Sequence, residues 1–307
     1  MTPEEWWKNF ALGTEIDAAG TFIHNGIKAL HGLPTLNHPV DSFEVLYNLS
    51  VGIERLLKVA IILIEHNEQI DIEQFEASLI SHSTIDLANR VDSKRSLGLA
   101  SVHREFLSVL SKFYKSHRYG RYSLSAVPNI YQEKAEFLGF VAKHLKIELD
   151  PGDEFFPIQN TDQIRKFVGK VVKKISREIF VVVGRRAYEL NIYTNEIRSD
   201  SKALKVFYGE RLDFLDEEIK KKELLHFLMS EKASGDHVDL LRSVEALDFD
   251  PAMAPNYIQA LLNDDYLPYV EGEVDELYTE LENVRERLEF MSIIDNEHLS
   301  YGGEDEA

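Results

Sequence analysis

The sequence predicts an all-α protein: an antiparallel helical bundle with additional C-terminal helices. Three observations predict it. Apolar residues recur at helical spacing in three long segments, stretches with strand alternation are scarce, and Gly and Pro gather at a few breaks. No internal repeat appears at a solenoid period.

The first long segment, Val45 to His66 (VLYNLSVGIERLLKVAIILIEH), sets Leu46, Leu49, Ile53, Leu56, Ala60 and Leu63 on one stripe. Its second half is apolar nearly all round, which places this helix at the centre of the bundle. SHSTIDLANRV then opens a new helix, with Ser83 or Thr84 as its cap and His82 as the capping neighbour. An aromatic helix follows from Glu105 to Lys115 and runs into FYKSHRYGRYS. From Gln163 to Leu190, Ile164, Phe167, Val171, Ile175, Val182 and Ala187 recur beneath a basic face. Phe180 to Val183 reads as a strand in isolation, but its flanks continue the helical period. Last, Val274, Leu277, Leu281, Val284, Leu288 and Met291 repeat the pattern on an acidic helix.

Breaks fall at Gly32–Pro39, at Pro128 with Asn129, at Leu149–Pro157 and at Asp248–Pro255. They divide the chain into a helical bundle over 1–150, a helical extension with the basic helix over 151–234, and an acidic helical region over 235–307 whose GGEDEA tail is expected to be disordered. The breaks are short enough for the regions to pack as one body.

Composition excludes several classes. There is no Cys among the 307 residues, so disulfides, thiolate zinc sites, iron–sulfur ligation and cysteine nucleophiles are all absent, and a cytoplasmic location is expected. The longest apolar run, Val59 to Ile64, is far short of a membrane span, and MTPEEWWKNF has neither the basic head nor the apolar core of a signal peptide. The net charge of -19 is uneven: residues 231–307 carry 4 Lys/Arg against 21 Asp/Glu. That region reads as a solubilising face, a dock for a basic protein, or a mask over the chain's own basic surface.

Glu54 and Lys58 lie four apart, in the favourable order for a helical ion pair, within an otherwise apolar segment. The succession IERLLKVAIIL, then His82 followed by Asp86 and Leu87, then an aromatic helix closing on Arg118-Tyr119, resembles the HEPN superfamily (higher eukaryotes and prokaryotes nucleotide-binding) over about residues 10–126. The corresponding pieces there look like a Glu-x-x-x-Lys helix, a His-Asp-Leu segment and a terminal Arg-Tyr-Pro. The resemblance implies a compact helical bundle, commonly a homodimer with a shared polar cleft. It also implies a bacterial defence or toxin–antitoxin role, including antiviral defence, as a metal-independent ribonuclease. Such proteins use an Arg followed four to six residues later by His; no His here follows an Arg at that interval, the nearest being Arg95 and His103 with seven residues between.

At the expected end of the bundle stand His117, Arg118 and Arg121, the base and cation types that metal-free RNA cleavage requires. Tyr119 and Tyr122 are placed to stack on unpaired bases, and Arg104, Lys112 and Lys115 extend a phosphate-binding surface. A structural account competes for each: Arg and Tyr at a helix end cap carbonyls and cover the bundle, and Glu54 with Lys58 is an ordinary polar pair. The basic face over Gln163–Leu190, net +6, either grips nucleic acid or is a solvated surface.

No phosphate loop, dinucleotide fingerprint or nucleophile elbow occurs, and Asp248 with Asp250 and Asp264 with Asp265 read as turns and caps. Neither metal nor cofactor is expected. The expected function is RNA binding with endoribonuclease activity. The alternative is a non-catalytic helical interaction module, which holds a protein partner through region 235–307.

Overall fold

The computed structural model describes residues 2–67, 69–117, 132–149, 157–192, 202–209, 212, 214–263 and 268–294. It is all-α: among the described residues no strand forms, and one isolated antiparallel bridge joins Thr35 to Gln159. The chain divides into two compact units, Met1–Phe214 and Leu215–Ala307.

The first unit begins with a short helix α1 (Pro3–Trp6) and a π-helical segment (Trp7–Ala11) that runs into α2 (Leu12–Gly32). There follow α3 (Pro39–Glu65), α4 (Ile72–Ser78), α5 (Thr84–Asp92) and α6 (Ser101–Lys112), the last extended by a π-helical turn (Phe113–His117). Then come α7 (Gln132–Leu145), α8 (Asp162–Glu189) and α9 (Lys202–Tyr208).

Helix α3 is central. It packs most extensively on α2 and also meets α5, α6, α7 and α8. Its expected stripe is buried along its whole length, Leu46, Leu49, Ile53, Leu56 and Ala60 being 0% exposed and Leu63 2%. In its second half Leu57, Val59, Ile61 and Ile62 are buried as well, so helices cover it on several sides. Phe180–Val183 is helical, and α8 buries Ile164, Val171, Ile175 and Val182 in the same core as α3. The basic helix, assigned from sequence to the extension 151–234, thus belongs to the first unit's core. The bridge at Thr35 is reinforced by buried Asn160, whose amide donates to the carbonyls of Leu30 and Leu33 at the end of α2.

His66 follows α3, 5% exposed, with its ring edge-on to Trp7 and Phe75 and its Nδ1 buried with no hydrogen-bond partner. Burial, and then the Lys8 ammonium, push its pKa below the ordinary 6.5, against a smaller opposing effect of Glu4 and Glu76. The folded state therefore disfavours the charged ring. Its stabilising contribution is complete above pH 6.5 and is lost as the pH falls from there toward the lower folded value. Denaturant titrations at pH 7.5 and 5.5 should show a smaller acid-side loss for His66→Phe than for the wild type.

The second unit contains α10 (Leu215–Met229), α11 (Asp236–Ser243), α12 (Ala254–Asn263), α13 (Pro268–Glu280) and α14 (Val284–Met291). Among its described residues the only buried hydrophobic is Ala233. The single acidic helix expected through Val274–Met291 is two helices, interrupted over residues 281–283, and Asn283 precedes α14 without a side-chain cap. Asn is a poor interior helix residue, and neither helix buries a residue that would hold the segment straight.

Candidate functional site

Of the residues expected to act on RNA, Arg118, Tyr119, Arg121 and Tyr122 lie outside the described residues, as does the side chain of His117 at the end of the π-helical turn. The other expected positions are placed. Arg104 donates to the Asp92 carboxylate at 2.8 Å and to Asn89 at 3.0 Å. Lys115 meets Asp86 at 3.3 Å and Lys112 meets Glu136 at 3.8 Å. These neighbours hold the acids in their charged form: the Ser83 hydroxyl and then Lys115 lower the pKa of Asp86, and the Leu97 amide and then Arg104 lower that of Asp92.

The Glu54–Lys58 pair forms, with the ammonium 2.6 Å from the carboxylate, and it has a third member. His82 sets its Nδ1 3.2 Å from both oxygens of Glu54. Local structure explains the placement. Ser83 caps α5 by accepting from the Asp86 amide, while the buried Thr84 hydroxyl donates to the Leu107 carbonyl on α6 and Ser111 accepts from the Ile85 amide. The residues just after His82 are thereby pinned between α3 and α6, and the imidazole reaches back to α3. The Glu54 side chain is 10% exposed, that of Lys58 25% and that of His82 50%, so the carboxylate lies at the bottom and the imidazole at the rim.

This cluster opens into a cavity of about 500 Å³. Arg55, bound to Glu15 of α2 at 2.5 Å, forms part of its wall, and Trp7 and Tyr114 bring aromatic surface. Among the described residues, the π-helical segment Trp7–Ala11 supplies Trp7 and the segment Phe113–His117 supplies Tyr114. The extra residue in a π turn rotates side chains off the α-helical register, which is why such turns recur at functional sites. The Tyr114 ring lies 4.8 Å from His82.

The chemical capacity follows from the donors. A carboxylate only accepts, so Nδ1 of His82 is the donor to Glu54, and in the neutral ring Nε2 keeps a lone pair that can accept a proton. Glu54 holds the ring in that tautomer, as an orienting group holds a general base. From sequence, His82 is only a capping neighbour; Ser83 does cap α5, but the imidazole turns to a carboxylate 28 residues earlier. Trp7, Glu15, Arg55 and Tyr114 carry no local sequence signal that joins them to this cluster.

Along α8, Lys166, Lys170, Lys174, Arg177 and Arg185 are exposed. Lys174 pairs with Glu178 at 2.7 Å and Lys166 with Asp162 at 3.6 Å. Among the described residues no group of three or more His, Asp or Glu is arranged to hold a metal ion, and no described helix is long and apolar enough to cross a membrane. Comparisons of the chain with family models, with curated proteins and with solved structures give no match.

Proposed function

We propose that the chain is an HEPN-like protein of bacterial defence or toxin type, which binds single-stranded RNA and cleaves it without metal at the Glu54–Lys58–His82 cavity. The observation that carries this reading is the imidazole held by both oxygens of a nearly buried carboxylate, beside an ammonium, at the mouth of a cavity. Nε2 of His82 takes the 2′-hydroxyl proton and the 2′-oxygen attacks phosphorus. The bond to the 5′-oxygen breaks, the departing oxygen takes a proton from solvent, and a 2′,3′-cyclic phosphate remains. Lys58 and Arg55 face the charge that develops on the phosphoryl oxygens. Trp7 and Tyr114 offer ring surface to an unpaired base. The expected residues His117, Arg118 and Arg121 follow Tyr114 closely in sequence and serve in this reading as further phosphate contacts, in a homodimer.

The test uses purified protein, a labelled single-stranded RNA and EDTA. Products ending in 2′,3′-cyclic phosphate and 5′-hydroxyl are expected. The exposed cations of α8 supply the phosphate-binding surface in this reading, so Lys170→Glu with Arg177→Glu should reduce the slope of log affinity against log salt by about 1.4, two contacts at about 0.7 each. Absence of both RNA binding and cleavage by the wild type overturns the proposal. The second reading, an interaction module, is favoured by a different observation, the scarcity of buried apolar residues in the second unit.

A further inference from the structure

The second unit combines two properties that seldom coexist in a self-sufficient domain. Over residues 215–307 it carries 7 Lys/Arg against 25 Asp/Glu, while the first unit is near balance at 27 against 28. Among its described residues only Ala233 is fully buried, and the Leu, Ile, Phe and Met residues in which α10 to α14 are rich stay half-buried or exposed. Leu224, Leu228 and Met229 are more than half exposed. Apolar side chains left half-covered in this way contribute less to folding than a closed core does, and a partner that covered them would add to stability.

Among its described residues the unit has a groove suited to such a partner. Leu277, Leu281 and Phe290 form its apolar floor, Asp248, Glu280 and Glu286 stand on its rim, and its volume is about 650 Å³. That is room for a few apolar side chains. The floor residues are neither buried nor fully exposed, as expected for a surface awaiting a layer. Arg287 is the groove's single cation, and its guanidinium is turned to the Glu245 carbonyl at 2.5 Å within the wall. Charge complementarity selects the occupant. Nucleic acid is repelled by this rim, an acidic peptide likewise, and an uncharged apolar segment would fill the floor while leaving the carboxylates without counter-charge. A helix with Leu-type residues on one face and Lys or Arg beside them satisfies both.

We infer that this groove, between the segment around Asp248 and helices α13 and α14, is a docking site for a basic amphipathic helix of a partner protein. The inference is independent of the RNA reading, since none of its residues belongs to the first unit.

The experiment titrates the full chain with a fluorescent Lys/Leu amphipathic peptide of about four helical turns, and with the same residues scrambled so that no apolar face forms. The ordered peptide should bind, more weakly as salt rises, and at least tenfold more tightly than the scrambled one. Leu281→Asp should weaken it at least tenfold by placing charge in the floor. Glu280→Lys with Glu286→Lys should do the same from the rim, where substitution leaves the helices folded as judged by circular dichroism. Equal binding of the ordered and scrambled peptides, or unchanged affinity in the rim variant, overturns the inference. RNA cleavage measured in parallel reads the first unit alone and separates failure of one proposal from failure of the other.

Discussion

If the chain is the ribonuclease proposed, replacing His82 with Ala is expected to lower RNA cleavage by about 10²- to 10⁴-fold, the range for loss of a positioned general base. The half-exposed ring supports little of the core, and Glu54 keeps Lys58 as its partner, so unfolding midpoints stay close to those of the wild type. The loss therefore appears in kcat, with RNA affinity changed by no more than about twofold, because a proton acceptor works in the transition state and not in ground-state binding. Glu54→Gln separates the two roles of the carboxylate. The amide keeps the shape but removes the charge that orients Nδ1–H and stabilises the imidazolium formed as the proton is taken, so cleavage should fall while the fold is kept. A purely structural cluster predicts the opposite pattern, with stability lost and the cleavage rate of the remaining folded protein unchanged. Equal cleavage by wild type and His82→Ala, or none by either, removes this site from the reaction.

How far the sequence discloses this arrangement depends on the range of the signal. The α3 stripe is legible because burial imposes a helical period on consecutive residues, and Leu46 through Leu63 meet it at every turn. The Glu54–Lys58 pair is legible for the same reason, since four residues along a helix is a local distance. His82 is not. Its bond to Glu54 depends on the chain reversal through α4 and on the Thr84 and Ser111 hydroxyls that hold α5 to α6, and nothing between residues 54 and 82 encodes that distance locally. The placement of α8 shows a related limit. Its apolar stripe announces a buried face but not the partner, and the break at Leu149–Pro157 suggests a boundary before a helix that packs on α3. In the second unit the period of Val274–Met291 is present in the sequence but has no core to answer it, and the helix breaks at Asn283. Periodicity reports an apolar face, and only tertiary packing decides whether the helix stays whole.

The contact between α2 and α3 gives the sharpest test of the first unit, because two glycines there have a sign of effect opposite to that of a glycine elsewhere. A Cβ on Gly52 would stand 2.7 Å from the Ile23 side chain, 2.8 Å from the Ala19 carbonyl oxygen and 2.9 Å from the Ile23 nitrogen. One on Gly26 would meet Leu49 at 2.9 Å. Two of the obstacles at Gly52 are backbone atoms of α2, which cannot turn aside as a side chain can, so Gly52→Ala must push the helices apart. The expected cost is about 1–3 kcal/mol of overpacking, against a gain of about 1 kcal/mol from the better helix propensity of Ala. Gly52→Val gains less propensity and adds two methyl groups in the same place, so its loss is larger, with a fall in Tm of about 2–4 °C for each kcal/mol in a unit of this size. Gly184, within α8, has nothing within 4 Å of the added Cβ, and Gly184→Ala should raise stability by about 0.4–1 kcal/mol. Differential scanning calorimetry of the three variants reads both signs. Separation of α2 from α3 also draws Glu15 from Arg55 and shifts the helix that carries Glu54 and Lys58, so Gly52→Val should reduce cleavage while Gly184→Ala leaves it unchanged. A neutral or stabilising Gly52→Val would mean that the two helices do not approach at this distance, and the cavity wall they build would lose its basis with them.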